Sequence, residues 1–178
     1  MGRMARENLR GTLTIELLPH LDAGGRWATD NDMRPLSALG ERQARAVARA
    51  LARGPVDALF CSPALRCHMS LSPLSDLAGV EIDELSELSE SDMGEDFAAM
   101  AERGISAIYA MREMIEEGRV VACSHGDIIP AIIEVLAEAG GLEAPVLERR
   151  GQWYTITFED EVTGIERNEI DLTAQDER

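Results

Sequence analysis

The 178-residue chain contains no lysine: all 17 of its basic residues are arginine. With no side-chain primary amine, Schiff-base catalysis, attachment of pyridoxal phosphate and the lysine of a phosphate-binding loop are excluded. Positive charge is scarce as well. Thirty-three acidic residues against 17 basic ones give a formal net charge of -16, which argues against a general nucleic-acid binder or an anionic-membrane binder. No Gly-rich turn with a trailing carboxylate suggests a dinucleotide site. Cysteine is sparse and odd in number, at Cys61, Cys67 and Cys123, with no C-x-x-C pair, so a reducing compartment is expected. No stretch is long and apolar enough to span a membrane, and the opening MGRMARENLR lacks the apolar core of a signal peptide. The expectation is a cytoplasmic protein with a flexible arm over residues 1–11, a single domain over 12–172 and a short tail over 173–178. The 45% of hydrophobic residues suffices for one sizeable core, and no repeat or linker divides the chain.

What the chain does contain is an alternation of short apolar strands and amphipathic helices. Thr12–Leu18 and Arg119–Cys123 read as buried strands, and each runs into a histidine, His20 and His125. Val56–Cys61 is a third strand and Val80–Ile82 a short fourth. Ser37 is expected to cap a helix over Ala38–Arg53, stopped by Gly54-Pro55. Ser62-Pro63 reads as an N-cap and first helical residue, with Pro73 kinking or breaking the helix that follows. Phe97, Ala101, Ile105, Ile108 and Ile115 have helical spacing, ended by Gly118. A helix over Asp127–Ala139 and a hairpin of Gln152–Phe158 with Ile165–Leu172, turning near Gly164, close the chain. The pattern predicts an α/β protein: a three-layer α/β/α sandwich on a mostly parallel central sheet.

In open α/β sheets ligands bind beyond the carboxyl ends of the strands. Two such ends carry histidines here, and a third carries Ser62-Pro63 with Arg66 three residues further on. Helix starts nearby favour anions. Two imidazoles, a guanidinium and helix N-termini suggest a phosphate pocket in which one imidazole attacks phosphorus and the other groups hold its oxygens. A metal-dependent hydrolase is a weaker reading, because His20, His125 and Glu90 have no short ligand spacing; no metal or cofactor is expected.

These residues resemble a known family. Cys61-Ser62-Pro63-Ala64-Leu65-Arg66-Cys67 is similar to the S-P-x-x-R segment of the histidine phosphatase superfamily, the phosphoglycerate mutase-like group. Cys123-Ser124-His125-Gly126-Asp127-Ile128-Ile129-Pro130 looks like its second histidine motif, and Leu17-Leu18-Pro19-His20 sits where the family has an Arg-His pair. The loop Ala23-Gly24-Gly25-Arg26-Trp27, with Asp32 and Arg34-Pro35-Leu36-Ser37, is similar to the small phosphohistidine-phosphatase branch. The resemblance runs from about Thr12 to Phe158. It implies the phosphoglycerate mutase-like fold, a nucleophilic His20 that becomes phosphohistidine, and Arg66 and His125 clamping the phosphoryl oxygens. Leu88–Gly94 has the spacing of the family's acid-bearing segment, which makes Glu90 the candidate proton donor and Asp92 the second choice. Against this, His68 reads as structural, Trp27 as loop packing and the cysteines as small buried apolar residues.

The chain departs from the family at Pro19, where the first arginine is missing, and mildly at Ser70, where threonine is common. A charge-assisted hydrogen bond is worth roughly 1.5–3 kcal/mol, or about ten- to a hundredfold in phosphate binding. An arginine stabilising a phosphoryl transition state can contribute about 10³–10⁵ in rate. The larger figure decides, so reduced activity is expected unless another arginine, Arg26 or Arg34, reaches in. The implied function is hydrolysis of a phosphate monoester or phosphohistidine, on a phosphorylated small molecule or a phosphoprotein. The alternative is a catalytically silent relative that binds a phospho-ligand or a protein partner.

Overall fold

The computed structural model describes residues 11–170. The expected tail and all but the last residue of the expected arm lie outside that range. Six strands form one sheet in the order β3-β2-β4-β1-β5-β6. They are β1 (Leu13–Pro19), β2 (Ala58–Cys61), β3 (Ile82–Glu84), β4 (Gly118–Ser124), β5 (Gln152–Phe158) and β6 (Val162–Glu169). The pairs β3-β2, β2-β4 and β4-β1 are parallel, whereas β1-β5 and β5-β6 are antiparallel. The strands are interleaved with α1 (Ala38–Leu51), α2 (Leu65–Ala78), α3 (Phe97–Met114) and α4 (Ile128–Gly140). This is the three-layer α/β/α sandwich expected, with a mostly parallel sheet.

Alternation along the strands assigns the layers. Leu13, Ile15 and Leu17 join a core with Ile108 and Met111 of α3 and with Ile129 and Ile132 of α4. Leu18, Leu59, Val121 and Cys123 face Val47 and Leu51 of α1 and Leu71 and Leu74 of α2. Because β1 is buried on both faces, it reads as a near-continuous apolar run. Its one charged residue, Glu16, is also buried, and takes hydrogen bonds from Arg119 Nε and Trp153 Nε1, both at 2.9 Å, and from Thr155 Oγ1. Among the described residues no helix is long and apolar enough to cross a membrane.

Three local expectations need correction. Ser37 caps α1 as foreseen, its Oγ accepting the Gly40 N–H at 3.0 Å. Ser62 does not cap α2: the helix begins at Leu65 after Ala64, which makes no side-chain cap, and the Ser62 hydroxyl is used elsewhere. Pro73 neither ends nor breaks α2, which continues to Ala78 and stops at Gly79 in the left-handed conformation (φ 68°). Burial of Leu71 and Leu74 on either side holds the helix together across the lost N–H, a loss that ordinarily costs about 3 kcal/mol. The closing hairpin turns at 159–161, where Glu159 N–H bonds the Glu161 carbonyl. Gly164 instead lies within β6 opposite Thr157, at a register shift that absorbs one residue.

Candidate active site

The carboxyl ends of β1, β2 and β4 converge. His20 follows β1 directly, and its backbone N–H bonds the Ser124 carbonyl at the end of β4 at 2.8 Å. The Leu21 N–H donates to Ser70 Oγ at 3.0 Å, and Ser70 donates in turn to the Arg66 carbonyl, tying the His20 loop to α2. A serine hydroxyl thus suffices at this position. On the other side the loop presses on α1: a Cβ at Gly40 would lie 2.0 Å from the Asp22 carbonyl oxygen, so only glycine fits. Asp22 also accepts from the Ser37 hydroxyl, which helps hold its carboxyl below the usual range.

The two imidazoles are held in opposite tautomers. His20 Nδ1 lies 2.8 Å from the Leu21 carbonyl, an acceptor only, so Nδ1 carries the hydrogen and Nε2 is bare. Burial pushes the His20 pKa down to about 3, against the Leu21 hydrogen bond, with Arg150, His125 and Arg66 adding repulsion. His125 is fixed the other way. Arg66 can only donate, and one of its terminal nitrogens lies 3.2 Å from His125 Nδ1, so the hydrogen sits on Nε2 and points to Ser62 Oγ at 2.8 Å. The two rings meet edge to face with centroids 5.4 Å apart.

The His20 state has a checkable consequence. In ¹⁵N-detected NMR, its ring should show the Nδ1–H form without titrating between pH 8 and pH 5. The sign follows from the lowered pKa. The unfolded chain takes up a proton near pH 6.5 that the folded protein refuses, so His20 withdraws stability as pH falls from about 6.5 towards 3. A titration midpoint near 6.5 at His20 would contradict this environment.

Arg66 is completely buried, at 0% exposure, yet only its terminal nitrogens are used. One donates to the Asn31 carbonyl at 2.7 Å; the other donates to Glu90 Oε2 at 2.8 Å and to His125. Its Nε has no partner among the described residues. Arg34 Nε is likewise buried without a partner. Buried donors left unpaired are costly, and that of Arg66, whose charge acts on the bare imidazole of His20, suits an anion.

Glu90 reaches the site because its acidic segment is tied down. Arg103 donates to the Glu87 and Ser89 carbonyls and pairs with Glu95, while Asp127, capping α4, accepts the Ser91 N–H at 2.8 Å. Glu90 Oε2 takes both Arg66 and Asn31 Nδ2, the latter at 2.7 Å. Asp92 is exposed and has no hydrogen bond to these residues. Arg26 is exposed, with no ion pair among the described residues, so of the two loop arginines only Arg34 has its side chain partly buried.

Outside the site, His68 pairs with Glu84 at 2.8 Å on the surface, and Trp27 Nε1 holds the Asp30 carbonyl at 3.0 Å. All three cysteines are buried and free, and burial pushes the Cys61 and Cys123 thiols up, away from thiolate chemistry. Among the described residues no group of three His, Cys, Asp or Glu side chains is arranged to hold a metal.

Sequence reasoning missed Asn31, Ser62 as the His125 acceptor, and Arg150. Asn31 reads as an ordinary turn residue in a polar loop. Arg150 precedes β5 in a stretch without periodicity, yet its guanidinium donates to the His20 carbonyl at 2.5 Å across 130 positions of chain. No local signal marks either residue.

A family model described as the histidine phosphatase superfamily, branch 1, matches residues 20–96. The chain is 26% identical over 156 residues to the 8-oxo-(d)GTP phosphatase of Mycolicibacterium smegmatis, covering 84% of this chain and 45% of that protein. It therefore spans about half the length of that relative. Among solved structures, YhfR of Bacillus stearothermophilus superposes with a TM-score of 0.77 at 13% identity, covering 90% of this chain and 98% of that one. A mycobacterial glucosyl-3-phosphoglycerate phosphatase gives 0.73 at 14% identity, with 89% and 98% covered. The protein histidine phosphatase SixA with tungstate gives 0.67 at 20%, with 88% and 96% covered. At these identities the structural matches speak for the fold alone. Motif order and family model agree on the histidine phosphatase superfamily over residues 20–96, and the fold of the whole described chain is that of the solved structures named.

Proposed function

We propose that the protein is a phosphatase that hydrolyses a phosphate monoester or a phosphohistidine, on a small molecule or a phosphoprotein, through a phosphohistidine intermediate on His20. The observation that carries this reading is the fully buried Arg66, with an unpartnered Nε, beside a desolvated imidazole whose Nε2 is bare. In the first step His20 Nε2 attacks phosphorus, the bond from phosphorus to the leaving oxygen breaks, and that oxygen takes a proton from Glu90. In the second, water attacks the phosphoryl group and gives a proton to Glu90. The phosphorus–nitrogen bond then breaks, releasing inorganic phosphate. Arg66 and Arg34 hold the phosphoryl oxygens, and His125 braces Arg66 from behind; Asn31 and Arg66 orient Glu90.

With Pro19 at the end of β1, turnover is slower than an arginine there would give. The net charge of -16 works against long-range steering of anionic substrates, so attraction is local to the arginines. Three free thiols suit the reducing cytoplasm.

The test is to trap the intermediate with a ³²P-labelled phosphodonor. Wild type should carry an acid-labile, base-stable label that His20→Ala lacks, and should hydrolyse a generic aryl phosphate that His20→Ala leaves intact. Absence of both label and turnover from wild type would favour a silent phosphate-binding relative.

A further inference from the structure

The loss of a guanidinium at position 19 leaves one side of His20 without a cation from its own strand. Leu17 faces the α3 and α4 layer, and alternation turns Pro19 the same way. There Pro19 lines a cavity of about 720 Å³, together with Gly126, Ile133 and Ala137, closed by the segment 144–150 and Tyr154. Arg150 lies on the wall of this same cavity. The neighbouring Arg149 turns outward to Glu169 at 2.9 Å. Arg150 keeps an exposed stem but places one terminal nitrogen on the His20 carbonyl.

Two further facts set Arg150 apart from a structural ion pair. No carboxylate lies within ion-pair distance of it among the described residues; Asp22 acts on it only at longer range, and is already bonded to Ser37 and Gly24. Its nearby charges include a like one, Arg34, whose Nε is buried and unpartnered. Two guanidinium groups near each other, with no carboxylate bound to Arg150, form a place for an anion.

We propose that Arg150 supplies, from the segment before β5, the guanidinium that Pro19 cannot, holding a phosphoryl oxygen on the Pro19 side of the His20 nucleophile. Arg66 holds the opposite side, and Arg34 completes the set. Arg150 would then be a catalytic residue, its bond to the His20 carbonyl keeping it in place. The proposal rests on the phosphohistidine reading. It makes Arg150 a partial substitute: its guanidinium comes from an irregular segment rather than a strand end, so it is held less firmly than an arginine at 19.

Binding of inorganic phosphate, measured calorimetrically on the full chain, tests the proposal together with aryl phosphate turnover. Arg150→Ala should weaken phosphate binding by about ten- to a hundredfold, the worth of one charge-assisted hydrogen bond, and lower kcat as well. Arg149→Ala should change neither. Because Arg150 also anchors the His20 backbone, the decisive variant is Arg150→Ala combined with Pro19→Arg. Arginine at 19 has the cavity to extend into, and should restore phosphate binding and turnover. Unchanged phosphate affinity in Arg150→Ala, or a loss that Pro19→Arg does not restore, would overturn the role of Arg150. If wild type still forms phosphohistidine in either of those cases, the phosphatase reading stands. If wild type neither binds phosphate nor takes up label, both fall.

Discussion

Replacing Arg66 with alanine is expected to lower kcat for an aryl phosphate by about 10³–10⁵-fold, the range for an arginine that stabilises a phosphoryl transition state. Three consequences converge in this one change. On the proposed mechanism the phosphoryl group loses a donor, Arg66 Nε, that has no other partner among the described residues. His125 loses the donor that fixes its tautomer, at 3.2 Å from Nδ1. Glu90 loses its cation, leaving only Asn31 to orient it. Arg66→Lys should recover little, because a single ammonium cannot serve the Asn31 carbonyl, Glu90, His125 and an anion with the planar geometry of a guanidinium. The check is steady-state kinetics alongside circular dichroism. A folded Arg66→Ala protein with kcat within tenfold of wild type would contradict the role given to Arg66.

The second large effect is on stability. Glu16→Ala removes a 6%-exposed carboxylate from the middle of β1, leaving the indole N–H of Trp153 and the guanidinium of Arg119 without their acceptor. Breaking a buried pair from one side costs about 3–5 kcal/mol. Arg119 keeps some solvent, with its side chain 21% exposed, and retains the Leu51 carbonyl at 2.7 Å, so the lower end applies. For a chain of this size, about 3 kcal/mol lowers the melting temperature by about 6–12 °C. Glu16→Gln should lose less, because an amide oxygen still accepts from Trp153 and Thr155. Thermal unfolding followed by circular dichroism decides; a drop under 2 °C in Glu16→Ala would mean that Arg119 and Trp153 find other partners.

The parts of this molecule legible in its sequence are those governed by short-range rules. Strands buried on both faces show as apolar runs, and the histidines that end β1 and β4 follow them directly. Ser37 reads as a cap because capping involves only the next three residues. Where distant contacts decide, local reading fails. Pro73 looks like a breaker, yet flanking leucines packed on the sheet carry α2 through it. Ser62 has the local look of a cap, but its hydroxyl meets His125 across 63 positions. The site follows the same division. His20, Arg66 and His125 were recognisable from motifs at strand ends, and the structure brings them together with Glu90. Arg34 and Arg26 look equivalent in sequence; only packing separates them. Arg150 is invisible because the hydrogen bond that places it is made by a backbone carbonyl, which every residue possesses.

The strand order has a consequence for how the chain reaches this state. Leu13 of β1 pairs with Gly118 of β4 on one side and with Phe158 of β5 on the other. The central strand therefore has no partner until more than half of the chain has been synthesised. Its apolar faces wait while β2, β3 and three helices emerge. Such non-local pairing slows folding and lengthens the interval in which unpaired strands can associate with other chains. His20 and Arg150, separated by 130 positions, come together only as the last strands dock. An incompletely folded chain would then lack the cluster around His20, which is assembled in the final step rather than carried along from the first.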